Sequence, residues 1–310
     1  MLFGLSLGGA VGPQIQLLSA ADHRAPLDVQ LSADVPAGSA VSWEFGDGQQ
    51  GSGSRITHTY YRPGQYELTV QLRLPDGRVS QARAQVTVES GGPEQAVLTV
   101  LQGSDSLALS AGSSRVYLPY TPQYTLDGRP VTGRRQTLTP GLHTASLLIK
   151  GSDGPLLRTV RFQSGPVPGN LAFDQEVVRL TNRARAQGWD CTRQAPGGPA
   201  LSALALNDRL SEAARAQSVG MALGRYFAHV SAVDGSDPFQ RIDATGYRGR
   251  AEAENIAAGQ TTPQQVVDAW LRSPGHCHNI MGDYTEIGVA YAALQGSVYG
   301  QYWTQTFGRP

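Results

Sequence analysis

The chain has 310 residues, which is enough for two or three domains of ordinary size. Its formal net charge at pH 7 is zero, so the charge balance gives no reason to expect nucleic acid or an anionic membrane surface as a partner. With 37 glycines, 19 prolines and 16% charged residues, the composition favours short strands and many turns over long surface helices. No stretch is long and apolar enough to predict a transmembrane segment.

The N-terminal segment, residues 1–24, starts with an apolar run and carries small residues at Ser19, Ala20 and Ala21. This pattern is similar to the apolar core and cleavage region of a secretory signal, although the basic leader of such a signal is missing. We interpret residues 1–24 as a truncated signal or an N-terminal extension, and we expect an exported protein.

The two cysteines, Cys191 and Cys277, both lie in the C-terminal third of the chain. Sequence alone does not prove that they pair. In an exported protein we expect one disulfide that closes a long loop, and two free buried thiols are the alternative. A free Cys277, which lies between His276 and His278, would be a candidate catalytic thiol.

Residues 25–90 alternate between apolar and polar side chains, as at Leu27 and Val29, with turn residues between the runs. The pair Asp76-Gly77 between two alternating runs predicts a β-hairpin. The segment is therefore predicted to be an all-β sandwich of short strands.

A specific motif runs through the same segment: Trp-Glu-Phe-Gly-Asp-Gly at residues 43–48, His-Thr-Tyr at 58–60 and Gly-Gln-Tyr-Glu-Leu-Thr-Val at 64–70. This series resembles the PKD domain, an immunoglobulin-like sandwich of extracellular proteins. The resemblance implies that Trp43 is a core residue. It also implies that Asp47 bonds to the backbone of its own turn; a calcium site at Asp47 is the alternative.

Residues 94–164 alternate in the same way and contain turn signals at Asp127-Gly128 and at residues 152–154, which predicts a second small β domain. The run at residues 124–130 resembles the small PEGA module. Residues 165–170 hold two glycines and two prolines, which neither a helix nor a central strand accommodates, so we interpret them as a linker.

The pattern changes in residues 171–310, where apolar side chains such as Phe173, Val177 and Leu180 recur at helical spacing. Residues 262–265, Thr-Pro-Gln-Gln, predict a capping box with proline at the first helical position, and Pro274 ends that helix. Alternating runs follow near the C-terminus. These features predict an α+β domain with helices packed on an antiparallel sheet.

Side chains able to bind a metal or transfer a proton concentrate in this domain at His229, Glu254 and His276. Imidazole nitrogens and carboxylate oxygens are ligands of zinc and similar ions, and they serve equally as general acids and bases. His278 would point the same way as His276 in an extended segment but not in a turn. We expect His278 to be a structural residue.

Seven motifs follow one another in residues 170–310: Glu176–Arg185, Leu204–Ala214, Tyr226–His229, Ala253–Ala257, Trp270–His276, Glu286–Ala290 and Tyr302–Gly308. This series resembles the CAP superfamily (cysteine-rich secretory proteins, antigen 5 and pathogenesis-related 1 proteins), in its bacterial sperm-coating-protein-like branch.

The resemblance implies an α–β–α sandwich, secreted or at the cell surface, with a His-Glu-Glu-His cavity that can hold a divalent metal. For this chain we expect zinc if a metal is bound. By position in the motifs, His229 and His276 are similar to the two histidines of that set, and Glu254 to its first glutamate. Ser273 stands where the second glutamate belongs. Serine cannot supply the carboxylate charge, so this departure puts the affinity for metal in doubt.

We expect an exported protein whose two β modules display a domain that binds an extracellular ligand, namely a lipid, a glycan or a protein. The alternative is a hydrolase, metal-assisted or dependent on His and Glu, that acts on peptides or cell-wall material, since three ligands with an open fourth position is the pattern of catalytic zinc. Against that alternative, the sequence contains neither Gly-x-Ser-x-Gly nor His-Glu-x-x-His, so we expect binding and not catalysis.

Overall fold

A computed structural model describes residues 3–6, 14–19, 23–133 and 135–310. The chain divides into two compact units. The N-terminal unit comprises Met1–Gln95, Arg115–Thr121 and Lys150–Leu156, and the C-terminal unit comprises Ala96–Ser114, Pro122–Ile149 and Leu157–Pro310. The predicted signal or extension lies partly outside the described residues; within it, residues 3–6 and 14–19 are strands.

The N-terminal unit is built from two four-stranded sheets. Its strands are β1 (Phe3–Ser6), β2 (Gln14–Ser19), β3 (Leu27–Asp34), β4 (Ala40–Glu44), β5 (Gln50–Ser52), β6 (Arg55–Tyr60), β7 (Gly64–Arg73) and β8 (Val79–Val88). The sheets have the orders β1-β2-β3-β6 and β5-β4-β7-β8. The predicted hairpin at Asp76-Gly77 joins β7 to β8, and Trp43 is buried in the shared core. The sandwich prediction is confirmed.

Asp47 stabilises the turn that follows β4. Its Oδ1 accepts the backbone N–H of Gln49 at 3.0 Å, as predicted, and its Oδ2 lies 2.8 Å from Nε2 of His58. The preceding Gly46 has φ of +81°, and a Cβ there would collide with the backbone of Glu67. The Gly-Asp-Gly turn is therefore an architectural feature that holds β4 against β7.

The second β segment forms two further sheets, most of which lies in the C-terminal unit. Its strands are β9 (Thr99–Gln102), β10 (Ser106–Ser110), β11 (Gln123–Leu126), β12 (Arg129–Pro130), β13 (Arg135–Thr137), β14 (Gly141–Lys150) and β15 (Pro155–Ser164). The sheet orders are β13-β10-β9 and β12-β11-β14-β15. The likeness of this segment to PEGA stays a prediction.

The remainder of the C-terminal unit contains the helices and a mixed sheet. Its elements are α1 (Leu171–Ala186), β16 (Trp189–Asp190), β17 (Ala195–Pro196), β18 (Ala205–Leu206), α2 (Asp208–Gly224), α3 (Pro238–Ala244), β19 (Arg250–Ala258), α4 (Pro263–Arg272), α5 (Pro274–Ile280), β20 (Glu286–Ala293) and β21 (Gln301–Arg309). The main sheet has the order β18-β20-β21-β19. The expectation of an antiparallel sheet is wrong in one pairing, because β18 runs parallel to β20.

Helices cover both faces of this sheet. On one face α1, α4 and α5 pack around Trp270 and Trp303, both fully buried. On the other face α2 contributes Val219 to a second cluster around Tyr302. Gly288 of β20 permits this close approach, since a Cβ there would collide with the backbone of α2. The predicted three-layer α–β–α arrangement is confirmed.

The predicted linker has no regular secondary structure, yet it is bound tightly to the C-terminal unit. Val167 is fully buried, and its N–H donates to the Ser104 hydroxyl at 3.0 Å. The Pro168 carbonyl accepts the Ala293 N–H at 2.9 Å. The segment therefore acts as part of the domain's core and not as a free spacer.

The predicted helix start at Thr262 is confirmed in part. The Thr262 side chain accepts the Gln265 N–H at 3.2 Å, and Pro263 is the first helical residue. The Gln265 side chain, however, accepts the N–H of Thr261 at 2.9 Å, so the reciprocal bond of a capping box goes to the preceding residue.

Pro274 ends α4 and also begins α5, so His276 and His278 lie on a helix and not on an extended segment. Side chains two residues apart on a helix point about 200° apart, because the helix has 3.6 residues per turn. His278 is accordingly exposed, whereas His276 is half-buried. Across the described residues, no helix is both long and apolar enough to cross a membrane.

Candidate functional site

Glu254 lies at the centre of the candidate site, on the edge strand β19 of the mixed sheet. Its neighbours in the strand, Ala253 and Ala257, belong to the core under α1 and α4, while Ile256 belongs to the core under α2. Because side chains alternate along a strand, Glu254 shares the α2 face with Ile256. Its side chain is only 2% exposed.

His229 contacts this carboxylate from the loop that follows α2. Its Nδ1 lies 2.8 Å from Oε1 of Glu254, and 48% of its side chain is exposed. The His229 imidazole therefore contacts the buried carboxylate on one side and solvent on the other. The pairing of His229 with Glu254 that the motifs suggested is present in the structure.

Arg241 is the partner that sequence reasoning missed. Its Nη2 donates to Oε2 of Glu254 at 2.8 Å, and its side chain is as buried as that of the glutamate. The guanidinium also donates to the backbone carbonyls of His229 at 2.9 Å and Ser236 at 2.7 Å. A buried carboxylate is stable only when it is paired and hydrogen-bonded, and Arg241 meets both conditions.

A local signal for the helix that carries Arg241 was present in the sequence. Asp237, Pro238 and Gln240 form a complete capping box with proline in the first turn, which starts α3. Arg241 follows directly in that turn. That it pairs with Glu254 depends on how α3 packs on β19, which no local pattern encodes.

His276 approaches the site from α5, in the layer on the other face of the sheet. Burial, and to a smaller extent the charge of the nearby His229, lowers the pKa of the His276 imidazole. Among the described residues, no hydrogen bond joins its ring to Glu254. His276 thus lies within electrostatic range of His229, and its half-buried ring has nitrogens that can hydrogen-bond to a ligand.

A buried network of amides holds α5 in place beside β19. Asn255 donates to the His276 carbonyl at 3.1 Å and to Oε1 of Gln305 at 3.2 Å. Asn279 donates to Oδ1 of Asn255 at 2.8 Å. The network braces a helix and so fixes the position of His276.

The disulfide anchors the same helix through Cys277. Cys191 and Cys277 are bonded, with Cα atoms 5.6 Å apart, which confirms the predicted bridge. Both cysteines of the sequence are thereby accounted for. Cys277 is not a free thiol, so the structure excludes the hypothesis of a catalytic cysteine.

Glu254 is poorly placed to bind a divalent metal ion in this arrangement. Both oxygens of Glu254 are engaged, one by a guanidinium that would repel a cation at the same carboxylate. Ser273, at the position where the family has its second glutamate, supplies no carboxylate. Within the described residues, no three His, Cys, Asp or Glu side chains are grouped to hold a metal. Zinc binding stays a prediction.

Phe227, two residues before His229 in the loop, contacts Tyr299 from the segment between β20 and β21. Both side chains are about half exposed, and their ring centroids are 5.7 Å apart in an edge-to-face arrangement. Exposed aromatic pairs beside a polar cluster are typical of ligand-binding surfaces.

Comparison with known families separates two domains. The pattern of the cysteine-rich secretory protein family, CAP, matches residues 178–307. The C-terminal part of this chain is a CAP domain. The pattern of the PKD domain matches residues 18–88, so the N-terminal sandwich is a PKD domain.

The CAP domain has a curated relative in Bacillus subtilis (strain 168), the uncharacterized protein YkwD. The two are 39% identical over 137 residues, which cover 44% of this chain and 47% of YkwD, so the match spans about half the length of that relative.

Among solved structures, an outer surface protein from Borrelia burgdorferi is 22% identical, with a TM-score of 0.35, over 44% of this chain and 93% of that one. An extracellular protein containing an SCP domain from Bacillus anthracis is 16% identical, with a TM-score of 0.37, over 97% of this chain and 87% of that one.

Proposed function

We propose that this is an exported protein whose CAP domain binds an extracellular ligand, a lipid, a glycan or a protein, at the cluster of His229, Glu254, Arg241 and His276. The disulfide supports export, since such bonds persist in oxidising compartments. The presence of a PKD domain beside a CAP domain agrees with an extracellular location.

One observation carries the preference for binding: the carboxylate of Glu254 is occupied on both oxygens. A general base needs a free lone pair within reach of the substrate's proton, and Glu254 is buried behind His229. The half-exposed His229 and the half-buried His276 remain accessible. A preorganised polar cluster with accessible rings suits recognition.

Binding would be tested on the full chain with three defined probes: a soluble disaccharide-peptide from digested peptidoglycan, vesicles of phosphatidylglycerol, and a casein peptide mixture. We expect saturable binding of one probe, weakened at least tenfold in His276→Ala, with no product formed.

His278→Ala is the matched control, because His278 is the same residue type on the same helix but is exposed. Its affinity should equal that of the parent protein. The proposal fails if no probe binds or if His276→Ala leaves the affinity unchanged. It also fails if a probe is turned over and His276→Ala abolishes turnover, which would establish the hydrolase.

A further inference from the structure

His143 is a buried histidine on β14 whose two ring nitrogens both lie against oxygen atoms. Its Nδ1 lies 2.7 Å from Oδ2 of Asp127, in the turn between β11 and β12. Its Nε2 lies 2.8 Å from the carbonyl oxygen of Thr139, in the loop between β13 and β14. All three residues belong to the C-terminal unit, and none belongs to the site proposed above.

The Asp127 carboxyl is ionised at neutral pH. Its Oδ1 accepts the N–H of Thr144 at 2.8 Å. This bond lowers the pKa of Asp127 from its ordinary value of 3.8, and the contact with His143 and the charge of Arg129 act in the same direction. Asp127 therefore faces His143 as a hydrogen-bond acceptor and not as a donor.

Two acceptors around one imidazole require two N–H groups on the ring. A backbone carbonyl and an ionised carboxylate can only accept hydrogen bonds. A neutral imidazole has a single N–H, so one of the two contacts would place a nitrogen lone pair against oxygen lone pairs. The imidazolium ion has two N–H groups and satisfies both contacts. The geometry around His143 is therefore that of the doubly protonated, positively charged ring.

The surroundings of His143 also favour the charged ring. The Thr139 carbonyl, and then Asp127, raise the pKa of the His143 imidazole above its ordinary value of 6.5, although burial opposes them. Of the described residues, Asp127 is the charged side chain that acts on this ring. The ring that β15 places beside it is the uncharged Phe162, at a centroid distance of 5.7 Å.

The Thr139 carbonyl also holds the end of β15. It accepts a hydrogen bond from the hydroxyl of Ser164, the last residue of that strand. Ser164 directly precedes the segment 165–170, whose Val167 belongs to the buried cluster around Tyr302 in the CAP domain. Thr139 thus receives hydrogen bonds both from His143 and from the residue at which the second β segment joins the CAP domain.

We propose that His143 is a pH-sensitive clamp at this junction, which joins the β11–β12 turn to the β13–β14 loop while its ring carries two protons and weakens when it loses one. Loss of a proton replaces one N–H···O contact with a repulsion between lone pairs, so one of the two contacts opens. The pKa of His143 is raised in the folded state. The clamp therefore contributes its full stability below about pH 6.5, and this contribution is lost as pH rises through the folded pKa.

The test is an NMR titration of the full chain between about pH 5 and 9, with the same chain unfolded in urea as the reference. We expect a higher pKa for the His143 ring in the folded chain than in the unfolded one. The N–H groups of Asp127 and Thr144, which bond across the turn, report the opening by hydrogen exchange. Corrected for the intrinsic effect of pH, their protection should fall roughly twofold to tenfold as His143 deprotonates, the range for one lost hydrogen bond.

Asp127→Asn separates the charge of the clamp from its geometry. Residue 127 has φ of +51°, which asparagine tolerates, and the amide oxygen can still accept the Thr144 N–H. The amide NH₂ can donate to Nδ1 of a neutral His143, so both contacts survive without the second proton. In this variant the pKa of His143 should fall below that in the parent protein, and the loss of protection at alkaline pH should disappear.

His58→Gln is the matched control. His58 is also buried, and its Nε2 lies 2.8 Å from Asp47, but it belongs to the N-terminal unit, so His143 should titrate in this variant as in the parent protein. The proposal is overturned if the pKa of His143 in the folded chain equals or falls below that in urea. It is equally overturned if the protection of Asp127 and Thr144 does not change as His143 titrates, or if Asp127→Asn keeps the dependence of the parent protein.

Discussion

Arg241 stabilises the buried negative charge of Glu254. If Arg241 is replaced by methionine, Glu254 loses a guanidinium bond of 2.8 Å inside the protein. Removing one partner of a buried ion pair costs about 3–5 kcal/mol, so we expect a loss of that order in the free energy of unfolding of Arg241→Met, measured by urea denaturation.

The double variant Arg241→Met/Glu254→Gln separates this pairing from other effects of the arginine. With the carboxylate neutralised, the double variant should be less destabilised than the sum of the two single variants, by at least about 1 kcal/mol as expected for residues in direct contact. Additive losses would show that Arg241 stabilises α3 through its backbone contacts and not through Glu254.

Asp174 is predicted to make stability depend on pH. Burial raises its pKa from 3.8 to about 6, against the opposing effects of the Tyr291 N–H and Arg215. The folded state therefore holds a proton that the unfolded state has released between about pH 4 and 6. Across that window this carboxyl lowers the free energy of unfolding as pH rises, by roughly 1.4 kcal/mol per unit at most.

Asp174→Asn tests that dependence. The amide oxygen can still accept the Tyr291 N–H, but the side chain no longer titrates. Relative to the parent protein, the variant should gain stability between about pH 4 and 6 and show no further relative change above about pH 7. A constant difference over the whole range would contradict the raised pKa.

At the scale of elements, the contact between α2 and β20 depends on Gly288. A Cβ at this position would collide with backbone atoms of Leu210 and Ser211, and backbone cannot move aside as a flexible side chain can. We expect Gly288→Ala to lower the free energy of unfolding by about 1–3 kcal/mol, measured by urea denaturation.

Gly275→Ala is the corresponding control. Gly275 lies in α5 with nothing within 4 Å of an added Cβ, so alanine should be neutral or stabilising by about 0.5–1 kcal/mol, as in helices generally. Equal losses in the two variants would mean that the close approach of α2 is not the cause.

The sequence predicted secondary-structure elements correctly where residues adjacent in the chain determine the backbone conformation. Thr262 and Pro263 mark a helix start by hydrogen bonding and a fixed φ, and Asp76-Gly77 marks a hairpin by its backbone preference. The Gln265 side chain accepts the N–H of Thr261, whereas a capping box would use the N–H of Thr262.

The sequence could not reveal contacts that exist only after packing. Helix α5 was not predicted from the sequence. Pro274 indicates the end of the preceding helix, but proline is equally favourable as the first residue of a new one. The pairing of Arg241 with Glu254, and the burial of Val167 in a Pro/Gly-rich segment, depend on tertiary neighbours far along the chain.

At the scale of the whole molecule, the disulfide connects α5, the helix that carries His276, to Cys191 just after β16. Cys191 and Cys277 are 86 residues apart, and a bridge over a loop of that length stabilises by roughly 2–5 kcal/mol. We expect the double variant Cys191→Ser/Cys277→Ser to lose about that much, measured by tryptophan fluorescence in urea.

Reduction supplies the control for this prediction. Dithiothreitol should lower the stability of the parent protein to that of the double variant and leave the double variant unaffected. If the reductant changes both proteins equally, its effect does not pass through the Cys191–Cys277 bond.

Glu254 is bonded to both Arg241 and His229, and we propose on this ground that the CAP cluster binds an organic ligand in preference to a metal ion. Calorimetric titration of the full chain with zinc tests it most directly. The account predicts no binding in the micromolar range. Stoichiometric micromolar binding that is lost in Glu254→Gln and in His276→Ala, but kept in His278→Ala, would contradict it.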